Sequence, residues 1–162
     1  MVFYSNRYFI NQGFNRLLKD SHVNVTSSVI LCINNLALGL RKDFRESKDY
    51  LEIFLDKFKQ KNQKIFQDIL LTLENFFIFC FSLDEVLPEI KKIMLKGNKA
   101  PIEKERTCIL LEKILIKTEP ENLKKFVKEL SEFLFVLSDD ASSEVRNFSL
   151  QIFGLILAKI GK

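Results

Sequence analysis

Residues 121–161 read ENLKKFVKELSEFLFVLSDDASSEVRNFSLQIFGLILAKIG, and this stretch decides the fold. Its first half sets Leu123, Phe126, Val127, Leu130, Phe133, Leu134 and Leu137 at helical spacing with charged residues between them, so it offers one apolar stripe to a core. Its second half, from Phe148 to Ile160, is apolar over most of a helix circumference and needs neighbours on several sides. Between the halves lies a short polar connection at 139–143. Ser142 or Ser143 suits the N-cap there, and Glu144 adds a favourable negative charge to the helix N-terminus. The stretch is a helical hairpin built from two helices of different kinds.

The same pair recurs upstream. Leu83, Val86, Leu87, Ile90, Ile93 and Met94 repeat the amphipathic pattern, while Val29 to Ile33, Ile65 to Phe79 and Ile109 to Ile116 repeat the all-round apolar one. Polar connections fall at 20–24, 59–64, 96–101 and 139–143, and the apolar anchors after them, Val25, Ile65, Ile102 and Val145, are spaced by 40, 37 and 43. A period of about 40 built from helix pairs marks a HEAT-type α-solenoid. The expected fold is therefore all-α, a single solenoid domain over 1–162 with about four hairpins at 1–41, 48–81, 83–117 and 121–161. Its helices are expected at 4–19, 25–41, 48–60, 63–81, 83–96, 101–117, 121–138 and 142–160. Pro101 fits a first helical turn, and Gly97 and Gly161 can turn left-handed past helix ends. An ordinary bundle of four hairpins is the competing architecture.

Composition narrows the chemistry. With 47% hydrophobic and 28% charged residues the chain can build a core and is not disordered, and 5 Gly with 3 Pro are too few turn formers for a multi-stranded β fold. No run of about 18 uninterrupted apolar residues occurs, so no membrane partner is expected. The segment Met1 to Ile10 lacks the pattern of a secretory signal, which leads us to expect an intracellular protein. Cys32, Cys80 and Cys108 each stand in apolar sequence and read as buried, reduced thiols with no disulfide or metal framework. His22 is the sole histidine, and neither a catalytic triad, nor a metal cluster, nor a glycine-rich phosphate loop is present. The chain accordingly reads as no enzyme, with no cofactor and no small-molecule substrate. A net charge of +4 and 16 Phe placed to pack rather than stack on bases argue against nucleic acid. Phe76, Phe77, Phe79, Phe133 and Phe135 read as core.

Particular residues then carry a resemblance. Asp139-Asp140-Ala141-Ser142-Ser143-Glu144-Val145-Arg146, with Ser149 and Gly154, resembles the last repeat of a TOG domain, and Asn98-Lys99-Ala100-Pro101 with Lys104 and Thr107 resembles the repeat before it. Lys19 to Val25, Gly39 to Phe44, and Lys57-Phe58-Lys59-Gln60-Lys61 fall in the order and spacing of TOG domains of the XMAP215/Dis1 microtubule polymerases. CLASP proteins carry related domains, but the Gly-Leu-Arg-Lys and Lys-Phe-Lys-Gln-Lys segments resemble XMAP215/Dis1 more. A full TOG domain has about six repeats and a Trp in its first loop, whereas this chain has no Trp and room for about four. The match is thus to the C-terminal repeats of a TOG domain.

The resemblance implies a non-enzymatic module that binds αβ-tubulin through a ridge of intra-repeat turns, regulates microtubule dynamics, and resides in the cytoplasm on microtubules and the spindle. The residues it points to are Arg146 first, then Lys99 and Lys104, then Lys59, Lys61 and Lys64, and last Asn24 and Thr26. Basic groups along a rigid edge steer an acidic partner and fix its register. Arg146 can fork onto a carboxylate or bond carbonyls of its own turn. A HEAT scaffold for some other protein is the alternative. Phe3, Tyr4, Tyr8, Phe9, Ile10 and Phe14 crowd the first helix, so an exposed apolar patch and self-association through that end are expected.

Overall fold

The computed structural model describes residues 2–95 and 100–161, with the side chains of 2–7, 46 and 47 set aside. Eight α-helices follow one another: α1 (Val2–Leu17), α2 (Val23–Leu40), α3 (Asp49–Asp56), α4 (Gln63–Phe79), α5 (Leu83–Leu95), α6 (Pro101–Lys117), α7 (Pro120–Leu137) and α8 (Ser143–Ile160). Successive helices pair as hairpins, α1 with α2 through α7 with α8. The even-numbered, all-round apolar helices stack in order, α2 on α4, α4 on α6 and α6 on α8, which meets their need for several neighbours. The amphipathic odd-numbered helices form the second layer.

Polar contacts keep the period. Ser27 Oγ donates to Asp68 Oδ2 at 2.5 Å, Asn75 Nδ2 to Asn34 Oδ1 at 2.9 Å, and Lys159 Nζ to Leu115 O at 2.8 Å. Lys113 Nζ pairs with Glu74 Oε1 at 2.8 Å. Each partner stands about 40 residues from the other, the spacing of the anchors. Val23–Arg45 is long and apolar enough to cross a bilayer, and Ile30, Ile33 and Ala37 within it are fully buried.

The local stops follow the sequence in part. Ser142 caps α8 by accepting from Val145 N–H, and Pro101 opens α6. Gly161 has φ −80° and is not left-handed; its N–H closes the last turn on Leu157 O instead. Gly97 lies outside the described residues. The expected helix over 48–60 is shorter, because 3₁₀ turns at Arg41–Ser47 and Lys57–Lys59 flank α3. Arg41, at φ 51°, breaks the α2 path, and buried Phe44 and Phe58 hold the two turns against the core. Phe44 stacks on Tyr50 and tilts against Phe76, and Phe58 meets Phe66 edge-on.

Other expectations need correcting. Cys80 and Cys108 are buried, but Cys32 is exposed. Phe76 and Phe133 are core, Phe77 and Phe79 pack against it, and Phe135 is 75% exposed. At the first helix Tyr8 and Phe9 are exposed while Phe14 packs on the core; the side chains of Phe3 and Tyr4 lie outside the described set.

Candidate functional site

The turn within each hairpin joins an odd helix to the next even one, so stacking brings the first, second and fourth turns and the start of α6 to one edge; residues 96–99 of the third turn lie outside the described residues. Hydrogen bonds lace them together. Lys57 Nζ donates to Leu18 O at 2.6 Å, and Lys64 Nζ to Asn24 Oδ1 at 3.3 Å, joining the first turn to the second. Arg106, one turn into α6, donates through Nη1 to Phe58 O at 3.0 Å and, at shorter range, to Gln60 O. Lys104 Nζ reaches Asp140 Oδ2 at 2.5 Å, joining α6 to the fourth turn. Among the described residues these bonds tie the first turn to the second, the second to the start of α6, and α6 to the fourth turn, which makes a laced ridge.

In the first turn Asp20 Oδ1 accepts from His22 N–H at 2.7 Å, and Thr26 Oγ1 donates to Asp20 O at 3.2 Å. Thr26 is buried, so its hydroxyl closes the turn and is not on the ridge surface; Asn24 is exposed. In the second turn Asn62 Oδ1 accepts from Ile65 N–H at 3.0 Å and caps α4. Lys59, Lys61 and Lys64 are all exposed, and Lys59 pairs with Asp56 at 2.7 Å. Lys61 makes no bond among the described residues. Burial lowers the Lys57 pKa, with Asp56 opposing and Lys59 and Lys19 adding to the depression. Lys99, in the third turn, lies outside the described residues.

The fourth turn is a closed network. Asp140 accepts Lys104 and, through Oδ1, the Ser142 N–H at 3.0 Å. Arg146 Nη1 donates to Asp140 O at 2.7 Å and to Ala141 O at 3.0 Å, leaving its other nitrogens unbonded among the described residues. Burial favours the neutral Asp140 carboxyl, but the bonds from Lys104 and Ser142 and the charges of Lys104 and Arg146 outweigh it and hold the pKa below the ordinary value. Asp139 and Glu144 are exposed beside this network. Among the described residues the positive charge is therefore concentrated at the second turn, and the fourth is mixed.

The sequence placed Lys57 only within the Lys57-Phe58-Lys59-Gln60-Lys61 segment, with no bonding role, and did not single out Arg106. No pattern marked it, since Arg106 closes the charged run Glu103-Lys104-Glu105-Arg106 at the start of α6 and reads there as one more solvated side chain. Among the described residues no group of three or more His, Cys, Asp or Glu could hold a metal ion.

No protein-family model matches the chain. It is similar to Protein MOR1 of Arabidopsis thaliana, 26% identical over 148 residues that make up 90% of this chain and 7% of that protein. It is likewise similar to Zygote defective protein 9 of Caenorhabditis elegans, 29% identical over 148 residues, 90% of this chain and 10% of that protein. The chain thus spans a tenth or less of the length of these relatives. A chain solved in work on the structural basis of microtubule plus end tracking by XMAP215, CLIP-170 and EB1 superposes with a TM-score of 0.81 at 24% identity, covering 96% of this chain and 64% of that one. The fold is that of this solved α-solenoid, and the resemblance to XMAP215 read from the turns and anchors holds in architecture as well.

Proposed function

We propose that residues 1–162 act as one non-enzymatic TOG-type module that binds αβ-tubulin along the laced ridge and so regulates microtubule dynamics, in the cytoplasm on microtubules and the spindle. The single observation that supports this most is the alignment of the intra-repeat turns on one edge by Lys57, Lys64, Arg106 and Lys104, in a fold that superposes on a chain from the XMAP215 work. Lys61, Lys64 and Lys59 are the foremost contacts in this reading, because they are exposed cations grouped at one turn. Arg146 uses its unbonded nitrogens, Lys99 and Asn24 add to the edge, and Lys104 and Thr26 hold turns in shape. An acidic partner is drawn to such a cluster, and the attraction weakens with salt because these groups face water.

The test is gel filtration of the chain with unpolymerised tubulin at low and at physiological salt, with the wild type and with Lys61→Glu/Lys64→Glu. Co-elution at low salt that salt or the double reversal abolishes is expected. Co-elution unaffected by the reversal, or none with the wild type, overturns the reading. A second reading, a scaffold for another protein, has one observation in its favour. A groove of about 900 Å³ on the opposite edge is lined by Phe77, Ile78, Ile116 and Phe126, with Lys117 and Lys125 beside them.

A further inference from the structure

Arg106 is 6% exposed, the one Lys or Arg among the described residues to be buried. A guanidinium stays charged and brings five donors, so burial is tolerable only where acceptors are arranged around it. Here they come from the preceding hairpin. Nη1 bonds the carbonyls of Phe58 and Gln60, Nη2 reaches Gln63 Oε1 at 3.5 Å, and Cζ stands 4.3 Å from the centroid of the Phe66 ring. From the other side the Asn62 cap fixes the start of α4. Residues 58, 60 and 62 are each held, and Lys59 and Lys61 are the exposed residues between them, Lys59 paired with Asp56 and Lys61 without a bond among the described residues.

We propose that Arg106 is the positioning residue of the second turn, a clamp reaching from α6 that fixes residues 58–62 in the shape that presents Lys61 and Lys64 to an acidic protein surface. Its effect on binding rests on the tubulin reading; the clamp itself does not. A turn already fixed need not be ordered when a partner arrives, so the clamp strengthens binding without touching the partner. Lysine cannot replace it in full, because a compact ammonium neither forks onto two carbonyls nor stacks flat on Phe66.

Two measurements on the full chain test this, with Arg106→Gln and the milder Arg106→Lys, the latter sufficing should the former not fold. In amide hydrogen exchange, Gln60 N–H, bonded to Lys57 O, and Ile65 N–H are expected to exchange about tenfold faster or more in the variants, while Arg146 N–H in α8 keeps its rate. Unchanged exchange at Gln60, or equal acceleration at Arg146, overturns the clamp. In tubulin binding, Arg106→Lys is expected to weaken affinity in the wild-type background and to change nothing when added to Lys61→Ala/Lys64→Ala, since it acts through those residues. Equal loss in both backgrounds marks a merely structural residue and overturns the positioning role. Should the wild type not bind tubulin, the ridge reading fails while the exchange arm still decides the clamp.

Discussion

Asp140→Asn isolates the network that closes the fourth turn. The substitution keeps the shape of the side chain and leaves the main-chain carbonyl to Arg146, but it removes the charge that accepts Lys104 Nζ at 2.5 Å. The amide oxygen can still take the Ser142 N–H, so one charge-assisted bond is lost and one ammonium loses its partner. The pair is well shielded, with side chains 18% exposed for Lys104 and 11% for Asp140, so the loss belongs at about 1.5–3 kcal/mol. In a domain of this size each kcal/mol moves the melting temperature by about 2–4 °C, which gives a drop of roughly 3–12 °C. Lys59→Ala is the internal control: Lys59 and Asp56 are 55% and 50% exposed, and such a pair contributes about 0–1 kcal/mol. Acid adds a second signature. The folded Asp140 pKa lies below its ordinary value, so its stabilisation is present above the unfolded value near ~3.9 and is lost as the pH falls through the lower folded one. Thermal melts followed by circular dichroism should show the full gap between wild type and variant at about pH 7 and a narrowing gap below about pH 4. Melting temperatures that coincide at neutral pH, or a gap indifferent to acid, would refute the assignment of this carboxylate as the tie between α6 and the fourth turn.

The remaining expectations are brief. Phe133→Ala, at a buried core position, should cost about 3–5 kcal/mol in urea unfolding, while Phe135→Ala, at an exposed one, should stay within about 0.5 kcal/mol. Asn62→Ala removes the cap of α4 and should cost about 1 kcal/mol by the same method. Under native conditions a thiol reagent should modify Cys32 first, because burial pushes the Cys80 thiol up to about 11 and, with Asp140 and Glu105 near it, Cys108 to about 12; mass spectrometry of the labelled chain checks the order.

The helix pairs were legible because the two layers make opposite demands on composition. An odd helix needs one stripe, as in α7, and an even helix needs apolar residues nearly all round, as in α4, so the alternation itself spells out the layering. What periodicity does not show is whether a given stripe has a neighbour. Cys32 lies one period before Thr72; at the matching places of the helices that have an even helix before them, Thr72 and Ile152 are fully buried and Ile109 is half-buried. No even helix precedes α2 among the described residues, so the same register leaves Cys32 open. The other end shows the same effect, where Leu150 is exposed although Leu70 and Ile30, its counterparts two and three repeats earlier, are covered by the next helix in the stack. Charge is misread in a related way, for a sequence counts cations but not where they end. Lys57, Lys104, Arg106 and Arg146 all belong to the ridge by position, yet each gives at least one donor nitrogen to a carbonyl or carboxylate of that same ridge, Arg146 through Nη1 alone. Alignment and attraction therefore compete for the same side chains: the bonds that tie the described turns together withdraw charge from the edge, and among the described residues the attraction left to steer an acidic partner falls mainly to the second turn, where Lys61 makes no bond and Lys59 and Lys64 stay exposed although bonded to Asp56 and Asn24.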